Sequence, residues 1–351
     1  MDNALLISFK KDIENIKEYI EHISLIDAVA IKNKKPEQEE LKNLVKHLHT
    51  FKTDKKLFEY KAITVSLYGI LEKYIGTWIR EYIDTLSDLI VKYDDLPLKL
   101  RESHFKLSIN LISKIIEKKF AKYEHLDKND VLLKLGSCIR ESSKFELNED
   151  AFSPMSGNLK HGKITEAFEK LCIELNGKLL QNKSFLEYLE TKHGSDIANK
   201  KPTVLYNVID DLVSRRNDIA HGARIDDTIL DFDEHIEFLE YYCEAIFKVL
   251  EQETMKYKSE HLYTKIENIL NVFKDSKTEI NSILHIEVKN CKIKVGDCIM
   301  IKNLNSFTEK EISEIRRDKI KYEELEIKEK TNITVNINFS TTKNKTFYIK
   351  K

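Results

Sequence analysis

The chain has 351 residues, 41% hydrophobic and 33% charged, with 9 Gly, 4 Pro and a formal net charge of −1. That length suits two or three compact units, each with a buried core, and excludes a wholly disordered chain. The near-zero charge excludes a bulk polycation that coats nucleic acid but leaves room for a local basic cleft, and the scarcity of helix breakers favours long helices.

The first 32 residues read as one amphipathic helix, with Ile13, Ile16, Ile20 and Ile23 at spacings of three and four. This segment lacks the apolar block of a signal peptide, and no run of 18 apolar residues follows anywhere, so no membrane span is expected. A charged linker around Pro36 precedes a second helix that reaches about Thr53. The segment Lys56 to Tyr93 is the strongest helix, apolar over more than a narrow stripe. Glu72 inside it is either a surface residue or the buried partner of a cation. Leu96-Pro97 ends that helix, and another runs from about Leu98 to Tyr123.

Residues 124–162 read as an irregular connection with one short helix, ending in SPMSGNLKHG. Ile164 to Leu175 is expected to be helical and to stop at Asn176-Gly177 as a C-cap. Helices over Thr203 to Ala220 and Phe232 to about Lys258, joined by a short polar spacer, should form an antiparallel pair. From Ile283 the period changes to two: HIEVKN, KIKVG, CIMIKN, ELEIKEK, ITVNINF and TFYIK read as strands of a small barrel or sandwich. Residues 258–351 carry 17 Lys and 2 Arg against 14 acidic residues, a net of +5 that leaves −6 for the remainder. Those lysines either attract a polyanion or block edge pairing of the strands.

Chemistry concentrates in SRRNDIAHG, Ser214 to Gly222. Arg216 is a fixed cation with a bidentate fork for phosphate, Asn217 an amide, and His221 an imidazole suited to proton transfer near neutrality. Internal transfer in RNA needs those parts: a base for the 2′-hydroxyl, an acid for the leaving 5′-oxygen, and a cation for the transition state. The same residues could equally form a helix end, with His221 favoured by the macrodipole and Gly222 as cap. Residues five apart lie about 140° apart around a straight helix, so Arg216 and His221 would not share a face cleanly. A twofold axis pooling two copies would solve that.

Five cysteines, at 138, 172, 243, 291 and 298, form no C-x-x-C pair and are odd in number, so reduced thiols in a cytoplasmic protein are expected. No carboxylate–histidine cluster suggests a metal, and no cofactor is expected. His47, His49, His161 and His193 read as solvated positions.

RNDIAHG matches the R-x4-6-H motif of the HEPN superfamily. SGNLKHGKITEAFEKL (156–171) followed by LYNVIDDLVSRRNDIAHG (205–222) resembles the RiboL-PSP branch, and LYGILEKYIGTWIREYI (67–83) is similar to the family's long core helix. The resemblance covers roughly residues 56–255. It implies a mainly α fold with a HEPN-type helical bundle that dimerises and cuts RNA without metal, with Arg216 and His221 as the motif pair and Asn217 as the polar neighbour. Arg215 also fits the looser spacing. Relatives serve as toxins or antiviral effectors with an antitoxin or defence partner, and others are catalytically silent RNA- or protein-binding modules. KIKVGDCIMIKN and the strands after it resemble the second-domain barrel of translational GTPases, which would imply contact with tRNA or the ribosome; a generic barrel for protein contact is the other reading. The expected division is an N-terminal helical segment over 1–55, the HEPN domain over 56–258, a linking helix over 259–282 and a small β-barrel-like domain over 283–351.

Overall fold

The computed structural model describes residues 1–32, 39–117, 123–140, 144–153, 158–222, 232–274, 282–304 and 306–351. Most of the charged linker, and nearly all of the spacer after Gly222, lie outside them. Among the described residues the helices are α1 (Asn3–Lys32), α2 (Glu39–Thr50), α3 (Lys52–Leu89), α4 (Leu98–Glu117), α5 (Lys128–Ile139), α6 (Glu149–Phe152), α7 (His161–Lys170), α8 (Leu175–Leu180), α9 (Lys183–His193), α10 (Pro202–Leu205), α11 (Asn207–Ala220) and α12 (Asp233–His261). The strands are β1 (Tyr263–Lys265), β2 (Asn268–Lys274), β3 (Ser282–Val288), β4 (Cys291–Lys294), β5 (Cys298–Asn303), β6 (Ser306–Arg317), β7 (Ile320–Tyr322), β8 (Glu324–Ile327), β9 (Thr331–Ile337) and β10 (Thr346–Lys350). The protein is mainly α with a small β part. It divides into two compact units, residues 1–84 with 92–250, and residues 85–91 with 251–351. Among the described residues no helix is long and apolar enough to cross a membrane.

The helical unit is organised on α3, whose buried residues between Tyr60 and Leu86 cover more than one narrow stripe, while Val65, Gly69, Lys73 and Asp84 stay exposed. Trp78 is fully buried, and its ring meets Phe9 of α1 at 5.6 Å and Phe247 of α12 at 5.4 Å, both edge-on. Burying aromatic rings of this size dominates core energetics. The N-terminal helix therefore belongs to the same core as α3 and α12.

Several local expectations are corrected. Among the described residues of the 124–162 region, α5 and α6 precede the start of α7 at His161, where a single short helix is expected. Asp127 caps α5 by accepting from the Asn129 N–H at 2.8 Å, and Val131, Leu135 and Cys138 recur at helical spacing on its buried face. The Asn176-Gly177 cap does not exist. Helix α7 ends earlier, where Cys172 takes a left-handed φ of 62° and the Ile173 N–H reaches back to the Phe168 carbonyl at 3.0 Å. Gly177 instead lies inside α8, donating its N–H to the Glu174 side chain that caps that helix. Helix α9, where no element is expected, is capped by Asn182. The helix expected over Thr203 to Ala220 breaks at Tyr206, whose ψ of 17° separates α10 from α11. The linking helix over 259–282 is also overturned: α12 stops at His261 and β1 and β2 follow, their β-branched and aromatic residues joining the sheet.

The β unit contains an antiparallel sheet in the order β1-β10-β5-β6-β9-β3-β2, with β7 beside β6, and a separate β4–β8 ladder. The 12-residue β6 pairs its first half with β5 and its second half with β9, with a register shift between Ile312 and Glu314. A bulge of this kind bends a strand and lets one sheet turn the corner of a curled structure. One core of Ile, Leu, Val and Phe side chains fills the inside.

A buried histidine fixes α4 to the segment before α6. His104 is fully buried, its Nε2 accepts from the Asn148 backbone N–H at 3.0 Å, and its Nδ1 lies 3.1 Å from the Tyr93 hydroxyl. Burial pushes its pKa down to about 4. The folded pKa lies below the unfolded value, so the unfolded chain binds the proton first and stability falls as pH drops from about 6.5 to 4. From pH 7 to pH 4, the stability advantage of wild type over His104→Gln should shrink by about 3 kcal/mol, following from that shift at 1.36 kcal/mol per unit. Urea melts of both proteins across this range check it; an unchanged difference contradicts it.

Candidate functional site

Helix α11 carries the motif, and three of its polar residues face different neighbours. Arg216 lays its guanidinium over the Tyr68 ring of α3 at 4.9 Å and donates to the adjacent Asn217 Oδ1 at 3.2 Å. Asn217 in turn donates from Nδ2 to Asn158 Oδ1 at 3.3 Å. The Tyr68 hydroxyl accepts from the Leu159 N–H at 3.4 Å. Burial raises the Tyr68 pKa and the Glu72 carboxylate adds to this, while the Leu159 hydrogen bond and Arg216 oppose it. Glu72 is thus half-buried and faces this cluster electrostatically. Tyr68, Arg216, Asn217 and Asn158 form one polar group on the helical unit.

Asn158 reaches Asn217 because the next three residues are anchored. The His161 N–H, at the start of α7, donates to Asp210 Oδ1 of α11 at 2.9 Å, satisfying a helix-terminal amide that has no partner in its own helix. The His161 ring is buried and stacks on Tyr206 with centroids 3.6 Å apart. Its Nε2 lies 2.8 Å from Asn176 Oδ1, an acceptor, so Nε2 carries the proton and Nδ1 accepts from the Tyr242 hydroxyl at 2.8 Å. Burial lowers its pKa, with the Asn176 bond acting against that. The expectation of a solvated His161 is therefore wrong: a histidine before glycine looks like a turn, but here it begins a helix and its partners come from three other elements. His47 and His49 are exposed, and His193 is half-buried at the end of α9.

His221 is the C-cap of α11, with its N–H bonded to the Asn217 carbonyl at 2.9 Å, and it is exposed. Gly222 follows at φ 69°, a left-handed conformation that favours glycine. The imidazole thus stands past the last helical residue, one turn beyond Arg216 and Asn217.

Arg215 faces elsewhere. It donates to Asp211 Oδ2 one turn back and, at 3.1 Å, to the hydroxyl of buried Tyr60. Asp211 also takes the His235 Nε2 contact from α12 at 2.9 Å. Burial by itself would raise the Asp211 pKa, but the hydrogen bonds from His235 and Arg215 outweigh it and hold the carboxyl below its usual range. The Asp211–His235 and Tyr206–Tyr242 contacts run α11 and α12 antiparallel. All five cysteines are free, with Cys138 and Cys243 buried. Among the described residues, no three His, Cys, Asp or Glu side chains are grouped as metal ligands.

A long buried core helix, a second helix antiparallel to α12 and an Arg-Asn-x3-His terminus define a helical domain of the HEPN superfamily. The RiboL-PSP-HEPN family model matches residues 32–252, more than half of the chain, and the chain belongs to that family. No curated protein matches it in the corresponding comparison.

The two arginines should separate by readout. Arg215→Ala should cost about 1–2 kcal/mol of stability through the lost bonds to Tyr60 and Asp211. Arg216→Ala, which removes a ring-stacked and half-buried group, should cost less. Thermal melts of the two variants check the order, and equal losses would contradict it.

Proposed function

We propose that this chain is an endoribonuclease that cuts RNA by attack of the 2′-hydroxyl, without a metal ion, at a site centred on Arg216, Asn217 and His221. The observation that carries this reading is the clustering of Arg216, Asn217 and Asn158 over Tyr68, with exposed His221 one turn away at the helix end. In the proposed step the 2′-oxygen forms a bond to phosphorus as the bond to the 5′-oxygen breaks. One imidazole takes the 2′-hydroxyl proton and another protonates the leaving 5′-oxygen. Arg216 offsets charge on the equatorial oxygens through its planar fork. The Asn217 and Asn158 amides hold the phosphate or ribose. The products are a 2′,3′-cyclic phosphate and a 5′-hydroxyl.

One protomer supplies one His221, whereas this chemistry uses two proton-transfer groups. The reading therefore includes a homodimer in which two α11 ends share one cleft. The exposure of His221 supports it, since a second copy can reach that imidazole. The biological setting, carried by the family resemblance alone, is that of a toxin or antiviral effector in the cytoplasm, with an antitoxin or defence partner.

Purified protein should cleave RNA in EDTA and leave cyclic phosphate ends detectable by mass spectrometry. His221→Ala should lower the rate per folded molecule by about 10²–10⁴, and Arg216→Ala by about 10²–10³. Cleavage that stops on chelation and returns with magnesium rules this mechanism out. A His221→Ala protein that melts earlier yet cuts at the wild-type rate would make the histidine a helix cap and the domain a binding module.

Light scattering should give a dimer at concentrations where the enzyme is active. A fully active monomer would remove the shared-cleft arrangement.

A further inference from the structure

Strands β1 and β2 occupy opposite ends of the sheet path, yet only Ile266 and Glu267 join them. Three Cα-to-Cα steps from Lys265 to Asn268 span at most about 11 Å, so the sheet curls until its ends approach one another at that corner. Among the described residues no β1–β2 ladder closes the gap. A cleft of about 240 Å³ opens there, between β1 and the end of β10 on one side and the β3–β4 turn with Lys330 on the other.

The lining of this cleft is basic: five lysines against Glu267 and Glu287. Two of the lysines are already engaged. Lys351 donates to the Glu260 and His261 carbonyls at 3.1 and 2.9 Å, and Lys330 lies 3.3 Å from Glu287. Lys265, Lys289 and Lys350 are exposed, and their side chains make no hydrogen bond or ion pair among the described residues. Their cleft has an apolar floor in Ile266 and Val288, which are 4% and 6% exposed. Lysines that merely protect a strand edge need only be spaced along that strand. Here they come from two strands and a turn that border one cleft, and the lysines of that lining outnumber its carboxylates.

We propose that this seam cleft binds a run of phosphates of single-stranded RNA through Lys265, Lys289 and Lys350. The choice of RNA among polyanions rests on the endoribonuclease reading of the helical unit. The probe is a short labelled single-stranded RNA, and the protein is the full chain carrying His221→Ala, so that binding is read without cleavage. Adding Lys265→Gln, Lys289→Gln and Lys350→Gln together should weaken binding at low salt by about tenfold or more. The slope of log K against log salt should become shallower by about 2, the contribution of three phosphate contacts on a single strand. A glutamate variant of the same three positions, with its fold checked by circular dichroism, should lose more. Unchanged affinity and salt slope overturn the proposal. So does a variant that self-associates in light scattering while binding RNA normally, because the lysines would then be edge protection. Displacement of the RNA by polyglutamate at equal charge concentration also overturns it, in favour of an acidic protein partner. If wild-type protein fails to cleave RNA but lysine-dependent binding persists, the nuclease reading falls and the cleft stands.

Discussion

The arrangement of the polar group on α11 depends on one buried imidazole. His161 sits where α7, α8, α11 and α12 meet, held by Tyr242 and Asn176 and stacked on Tyr206. A buried polar ring is costly unless its hydrogen bonds are made, so its two partners are a strong restraint on where α7 can start. That start fixes Leu159 against Tyr68, and Asn158 against Asn217. Tyr206, whose ring covers His161, is also the residue at which helical geometry breaks between α10 and α11. Positioning of Asn217 and Arg216 thus rests on a residue that never reaches the surface.

The neighbouring arginines show how a helix separates similar side chains by angle. Successive residues turn about 100° around the axis. Arg215 accordingly meets Tyr60 and Asp211, while Arg216 meets Tyr68. Spacing in the sequence cannot rank them, because both fit the motif. The structure separates them by their neighbours: one is tied to a carboxylate shared with α12, and the other is stacked on a ring beside two amides.

Much of the helical layout was legible because apolar residues recur at helical spacing along α1, α3, α4 and α12, and the change to alternation near Ile283 marked most strands. The failures share a cause. Asn176-Gly177 resembles a cap locally, but the buried alternation of Leu171, Ile173 and Leu175 had already left the helical period. His161 looked solvated because its partners lie 15 to 81 residues away. Asn158 drew notice only as part of a resembling flank, since nothing near it in sequence shows that it will meet Asn217. The strand β6, SFTEKEISEIRR, is rich in helix-forming Glu and Arg, and pairing with β5 and β9 overrides that local preference.

In a barrel closed all the way round by hydrogen bonds, girth follows from strand number and stagger. The β unit obeys a different rule, because its first and last strands along the sheet are held together by a two-residue tether of main chain. The tether works as a hoop: it sets the circumference while leaving the join unzipped. Lengthening it by a few residues would remove that restraint without breaking a ladder bond, leaving the bend in β6 and the packed core to hold the curl.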